Sequence, residues 1–173
     1  MKYVSFCLAI LVLALGAACG SDSPTGPSTN ATAKFTANLS PASEIPAITG
    51  AEAAGSATAA ITFNLSKDSN GYVTAASLDV TVTAAGFPNN TTLTMAHIHS
   101  GGPDVNGGVF VSFGLAAGEV SYPAGGGTFT KTGISLTVDQ ANAILANPAG
   151  FYVNIHTAAN PNGVARGQLT PAP

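Results

Sequence analysis

The chain has 173 residues, of which only 8% are Asp, Glu, Lys or Arg, and its formal net charge is −3. Its cations are scattered lysines and a single arginine, Arg166, so no basic patch forms and the composition argues against nucleic acid as a partner. Small and β-branched residues dominate, which favours one extracytoplasmic β-domain over a helical protein.

The N-terminal residues have the pattern of a secretory signal. Lys2 precedes an apolar run at residues 3–18, which is shorter than the ~20 residues that a membrane-spanning helix needs. The run ends in "LGAAC", which resembles the bacterial lipoprotein cleavage box, although Gly16 stands where that box usually has Leu. We therefore expect residues 1–18 to be a signal peptide and Cys19 to be lipidated, with plain secretion as the alternative.

A polar segment follows Cys19. Residues 20–32 are rich in Ser, Thr, Pro and Gly and lack apolar periodicity, so we expect residues 19–33 to be a lipidated cysteine and a flexible tether. The implied location is the bacterial cell envelope, where the lipid on Cys19 anchors the domain to a membrane, facing the periplasm or the exterior. Removal of Cys7 with the signal leaves one cysteine, which can form no internal disulfide.

From Lys34 to residue 170, apolar residues recur at every second position, as in half-buried antiparallel strands. Asn70-Gly71 separates two such runs and indicates a hairpin. The apolar faces of these two runs comprise Ala57, Ala59, Ile61, Phe63 and Leu65 in the first and Leu78, Val80 and Val82 in the second. Further strands are predicted at residues 34–39, 92–99, 108–115, 127–135, 151–156 and 164–169.

One segment has a helical pattern instead. Thr137 and Gln140 have capping-box spacing, an apolar stripe follows them, and Asn147-Pro148 ends the pattern. We predict one short helix near 138–146. Residues 34–170 are then predicted to form one all-β domain, an antiparallel β-sandwich of seven or more strands with Greek-key-like connections.

The three histidines of the chain stand in two similar stretches. His97 and His99, in "AHIHSGGPDVNGG", share a strand face because strand side chains alternate. His156, in "FYVNIHTAANPNG", shares a face with Asn154, opposite the apolar residues of its strand. If the two strands are neighbours, the three imidazoles can bind one ion, and an all-histidine set favours copper or zinc.

Two interpretations of these polar residues stay open. The histidines either bind a metal or anchor loops through hydrogen bonds. A fourth imidazole or a carboxylate within reach would favour the metal, and bonds to turn carbonyls would favour the anchoring role. Glu44 and Arg166 either join the histidines in a polar cluster or are solvated surface charges.

Three blocks of the sequence resemble the CHRD domain, over residues 34 to about 170. They are "LSPASEIPAITGAEAAGSA", "AHIHSGGPDVNGGVFV" and "FYVNIHTAANPNGVARGQL". The resemblance implies a β-rich extracellular module, known from chordin and from bacterial secreted proteins, without an established biochemical activity. The family commonly has Pro-Gly-Glu-Ile-Arg-Gly-Gln near the end. Here Val164 replaces the Glu, which puts any role of that carboxylate in doubt, while Arg166 and Gln168 remain.

Two functions follow as hypotheses. The first is a surface-tethered, non-enzymatic CHRD-like binding or structural module whose partner is an unknown protein or small molecule. Its binding cluster comprises Glu44, His97, His99, Asn154, His156 and Arg166. The second is a copper- or zinc-binding protein using His97, His99 and His156. Its His-x-His motif on a sandwich strand is similar to copper–zinc superoxide dismutases in motif and architecture only. No phosphate-binding loop or nucleophile elbow occurs, and no catalytic residue is assigned.

Overall fold

The structure, a computed structural model, describes residues 28–173. The predicted signal peptide, Cys19 and residues 20–27 of the predicted tether lie outside the described residues. The described chain forms ten strands in two antiparallel sheets, with one α-helix, so the predicted β-sandwich with a single short helix is confirmed. No helix among residues 28–173 is long and apolar enough to cross a membrane.

The strands and the helix follow one another with short connections. In chain order they are β1 (Thr29–Leu39), β2 (Ser56–Lys67), β3 (Val73–Ala85), β4 (Thr91–Ser100), β5 (Val109–Ser112), β6 (Val120–Tyr122), β7 (Gly127–Leu136), α1 (Val138–Ala146), β8 (Phe151–Thr157), β9 (Ala165–Gln168) and β10 (Thr170–Pro171). Single 3-10 turns lie at Pro41–Ser43, Ala51–Ala54 and Pro148–Gly150.

The strands divide between two sheets that the chain visits alternately. The first sheet has the order β10-β1-β2-β3-β7, and the second has the order β5-β4-β8-β9, with β6 also paired to β4. The chain passes to the second sheet after β3 and after β7, and it returns to the first after β6 and after β9. The central pairing of the second sheet, β4 with β8, therefore joins two segments that are separated in the chain by β5, β6, β7 and the helix.

The alternation of the first sheet follows the sequence. Along β2 every second residue from Ala57 to Leu65 is buried, and along β3 Leu78, Val80 and Val82 are buried. The hairpin between these strands turns at Gly71, whose φ of +86° favours glycine, and the Asp68 carboxylate accepts bonds from two backbone amides of the turn. The predicted hairpin and both apolar faces are confirmed.

Some boundaries differ from the sequence-based expectation. β1 begins at Thr29, so residues 29–33 belong to the first sheet rather than to a tether. They pair with β2, from Thr29 opposite Lys67 to Ala33 opposite Phe63. This backbone pairing makes them a strand although their sequence is polar and has no apolar alternation. The short strands β6 and β10 lack an apolar run long enough for period two to be visible, and β5 ends at Ser112.

The helix has the predicted bounds and cap. The Thr137 hydroxyl accepts a bond from the Gln140 backbone amide at 3.1 Å, and the Gln140 side chain accepts one from the Thr137 amide at 2.9 Å. Ala141 and Ile144 are fully buried, so the helix packs one face on the core while it carries the chain from β7 to β8.

Candidate functional site

A set of polar side chains projects from the outer face of the second sheet, the face turned away from the core. Ile98 of β4 and Val153 of β8 are opposite one another and fully buried in the core, so their sequence neighbours point outward. The outward residues form two cross-strand rows, His97–Asn154–Arg166 and His99–Tyr152–Gln168, with His156 beside the first.

Loops cover this outer face and bury it. All seven residues of β8 are buried on both faces, which distinguishes it from the half-exposed strands of the first sheet. The segment after β1 and the loop between β4 and β5 meet over the site, where the Asn106 side-chain amide donates to the Ile45 carbonyl at 2.8 Å. His97 is 9% exposed and His156 is 3% exposed, so the histidines lie in a protected environment.

The three histidine rings lie in mutual contact. Nδ1 of His97 is 3.2 Å from Nε2 of His156, and the centroid of the His99 ring lies 5.5 Å from that of His97 and 5.9 Å from that of His156. One nitrogen from each ring can be chosen so that all three lie within 4.8 Å of one another. Nitrogens bound at ~2.1 Å to one tetrahedral ion are ~3.4 Å apart, so binding would draw the rings closer together.

Backbone carbonyls orient two of the rings. Nδ1 of His99 lies 3.0 Å from the Gly107 carbonyl, and Nδ1 of His156 lies 3.0 Å from the Pro161 carbonyl. A carbonyl only accepts, so both Nδ1 atoms carry the proton, and in the neutral rings both Nε2 atoms carry a lone pair. Nε2 of His99 is buried and has no hydrogen-bond partner within residues 28–173.

These bonds bear on both interpretations of the histidines. Bonds to turn carbonyls are what the anchoring role predicts, and within the described part of the chain no fourth histidine or carboxylate joins the group. Each imidazole has two nitrogens, however, and the carbonyls occupy only Nδ1. A carbonyl on one nitrogen is also the usual way in which a protein fixes the tautomer of a metal-binding histidine.

Burial keeps two of the histidines neutral. Burial lowers the pKa of His97, and the neighbouring His156 and His99 add to the shift because charge on one ring repels charge on another, so that together they bring this pKa to about 4. Burial likewise lowers the pKa of His156, against the opposing effect of the bond to Pro161. A neutral imidazole is the form that binds a metal ion.

Arg166 is a buried organiser of the covering loops rather than a surface charge. It is 1% exposed, its guanidinium stacks over Tyr152 at 4.5 Å, and its Nε donates to the Ser43 carbonyl at 2.7 Å. The same guanidinium donates to the carbonyls of Val105 and Pro103 and to the Asn106 side chain. Arg166 therefore joins both covering loops to the sheet.

Glu44 is also buried, and it shares the site without pairing with Arg166. It is 8% exposed, and desolvation raises its pKa to about 7, although the positive charge of Arg166 opposes the shift. No ion pair joins the two side chains within residues 28–173. Glu44 lies next to Asn154, since a Cβ placed on Gly163 would be 2.8 Å from an oxygen of each. The expectation of solvated surface charges is wrong for both Glu44 and Arg166, because loops exclude water from them.

Two residues of the site were not singled out from the sequence. Tyr152 lies between the His99 ring, stacked on it at 5.1 Å, and the guanidinium of Arg166. Gln168 donates to the carbonyls of Gly101, Ala149 and Phe151, which closes the site at the β9 end. The sequence held one signal for them, since Tyr152 is adjacent to Val153 and Gln168 to Gly167, and neighbouring strand residues point to opposite faces. Val164, where the family has Glu, is fully buried in the apolar core.

Comparison with known proteins agrees with the sequence blocks. Residues 35–169 match the CHRD domain family, which spans nearly all of the described chain. No curated protein and no solved structure matches the chain.

Proposed function

The chain belongs to the CHRD domain family, and we propose that it is a surface-tethered, non-enzymatic module of the bacterial cell envelope that binds a copper or zinc ion. The ligands are His97, His99 and His156, on the covered outer face of the second sheet. A set of three imidazoles suits either metal, since both favour nitrogen ligands.

One observation carries this proposal, namely that one ring nitrogen from each of the three histidines lies within 4.8 Å of the other two. Gly107 and Pro161 hold the protons of His99 and His156 on Nδ1, so Nε2 of each of these rings is left with a lone pair. In the metal-free protein His156 can accept a bond from His97, whereas Nε2 of His99 has no partner among residues 28–173. A buried acceptor without a donor is unfavourable, and an ion satisfies it.

The second candidate function is a purely structural cluster. The bonds from His99 to Gly107 and from His156 to Pro161 anchor the two turns, whatever else the rings bind. On this alternative the histidines stabilise the loops that form the surface, and the partner binds to those loops.

Metal titration separates the two candidates. The purified protein, treated with a chelator, is titrated with Cu²⁺ and with Zn²⁺ beside the variants His97→Ala and His156→Ala. The control is Glu119→Ala, which removes a carboxylate whose partners among residues 28–173 are Lys131 and Ala116. We expect one tightly bound ion in wild type and control, and at least tenfold weaker binding in both histidine variants.

Equal and weak binding in all four proteins would reject the metal site and leave the structural role. Thermal unfolding of each metal-free protein shows whether the histidine variants remain folded. Superoxide chemistry of the kind suggested by the His-x-His motif requires the same ion, so metal loading is its first test as well.

A further inference from the structure

We propose that the bound ion carries an exchangeable ligand, held in a cavity beside His99. The ligand is a small molecule with an oxygen donor atom for the ion and an adjacent N–H or O–H group, the chemistry of hydroxamates and hydroxy acids. Glu44 and Asn154 accept the hydrogen bond from that group. This inference rests on the proposed metal site and specifies what binds there.

The cavity lies over the outer face of the second sheet. Its volume is about 630 Å³, within the ~300–1,000 Å³ typical of small-molecule sites. Residues 45–48 form an apolar wall, and the polar side is formed by Glu44, His99, Asn106, Tyr152 and Asn160. One of the three proposed metal ligands, His99, therefore borders the space that a small molecule can enter.

Three buried atoms of this site have no hydrogen-bond partner in the described part of the chain. They are Oε1 of Glu44, Oδ1 of Asn154 and Nε2 of His99. Their residues are 8%, 2% and 8% exposed, respectively. With Nδ1 of His99 donating to Gly107, its Nε2 is an acceptor, as is the amide oxygen. Above its pKa of about 7 the Glu44 carboxylate is ionised and accepts too, so at such a pH the site lacks donors.

An ion alone does not provide a partner for all three of these atoms. It binds the lone pair of His99, but the oxygens of Glu44 and Asn154 lie together beside Gly163 and still need a donor. Gly163 has no side chain there, and its φ of +136° disfavours any other residue. A ligand that binds the ion through one atom and donates through the next satisfies both requirements.

Asn154 does not line the cavity itself but lies next to Glu44, which does. Asn154 is the cross-strand partner of His97 and is two residues from His156 on the same face, so it adjoins two of the three ligands. Glu44 is placed above it by the segment that Arg166 holds through the Ser43 carbonyl. The acceptor pair is therefore fixed by the fold before any ligand arrives.

The test compares two probes on the Cu²⁺-loaded protein at pH 8, above the pKa of about 7 to which burial raises Glu44. Acetohydroxamate offers an oxygen ligand and an N–H group, whereas azide offers a lone pair and no proton. Each is titrated while the visible spectrum of the copper is recorded, in wild type, Glu44→Ala and the control Glu119→Ala.

We expect acetohydroxamate to bind wild type and control, and to bind Glu44→Ala about tenfold more weakly, because a hydrogen bond to a carboxylate is lost. Azide should bind all three proteins alike. Asn154→Ala provides a second variant with the same expected pattern if Glu44→Ala proves unstable.

Two outcomes would overturn the inference. One is that acetohydroxamate leaves the copper spectrum of wild type unchanged, which means that water alone occupies the position. The other is that Glu44→Ala weakens azide and acetohydroxamate equally or weakens neither. Failure of the protein to bind Cu²⁺ at all is a different result, and it counts against the proposed function.

Discussion

Nδ1 of His97 and Nε2 of His156 lie 3.2 Å apart, although 59 positions separate the two residues in the chain. The contact exists because β4 and β8 are neighbours in the second sheet, where Met95 is opposite His156 and His97 is opposite Asn154. At this separation the two rings do not readily carry a positive charge at the same time, since adjacent imidazolium cations repel each other.

The first prediction is that the metal-free protein loses stability in acid through His97. Its folded pKa of about 4 is below the unfolded value of 6.5, so the unfolded state binds more protons between these limits. The histidine contribution is therefore present above pH 6.5 and is lost as the pH falls towards 4. Between these pH values the free energy of unfolding of His97→Gln should fall by on the order of 2 kcal/mol less than that of wild type. Urea unfolding at several pH values measures this difference. Parallel curves for the two proteins would contradict the prediction.

The second prediction is that Glu44→Gln stabilises the protein at alkaline pH. Desolvation raises the folded pKa of Glu44 to about 7 from 4.5, so the folded state retains the proton longer and stability falls as the pH rises between these values. Removing the ionisable group should increase the free energy of unfolding by ~1–2 kcal/mol at pH 8 and leave it nearly unchanged at pH 4. Equal effects at both pH values would show that burial of the charge is not the cause.

The third prediction compares two cations. Arg166→Ala removes the donor from the carbonyls of Ser43, Val105 and Pro103, and it should lower the free energy of unfolding by at least ~3 kcal/mol. Lys131→Ala removes the only salt bridge within residues 28–173, with Glu119, and should cost far less than Arg166→Ala because both groups are exposed to solvent that screens their attraction. Chemical denaturation measures both, and similar losses would count against an organising role of Arg166.

The fourth prediction concerns the turn that orients His99. A Cβ on Gly107 would lie 1.2 Å from the Ser100 carbonyl oxygen, so Gly107→Ala must displace the loop whose carbonyl holds the His99 proton. We expect at least tenfold weaker Cu²⁺ binding. The control is the next residue, since a Cβ on Gly108 meets no atom of the described chain within 4 Å. Copper titration of both variants checks this, and equal affinities would separate the loop from the metal site.

The fifth prediction concerns the anchor. Replacing Cys19 with Ser should move the protein from the membrane fraction to the soluble fraction, because the lipid that anchors it is lost. Fractionation followed by immunoblotting measures the distribution, with Cys7→Ser as the matched control that keeps Cys19. If the Cys19 variant remains with the membrane, the lipoprotein assignment is wrong.

Local pattern was sufficient for the longer strands and the helix, but not for the short strands β6 and β10. Period two in residues 56–67 and 73–85 identifies strands with one buried face, since a strand places alternate side chains on opposite sides. The spacing of Thr137 and Gln140 identifies the start of the helix, because the capping bonds involve only neighbouring residues. That His97 and His99 share a face follows in the same way.

Only the tertiary structure decided which residues lie beside His97 and His99. That β8 lies beside β4, in the register that brings His156 to His97, depends on how the whole core packs, and a shift of one residue would turn the histidine inward. Nothing local in "SEIPAI" or "VARGQ" indicates that Glu44 and Arg166 are buried, since loops distant in sequence cover them. The sequence by itself therefore determined the longer strands, the helix and the shared face of two histidines. The long-range pairing of β4 with β8 and the closing of the loops decided the site, because burial depends on contacts between segments far apart in the chain.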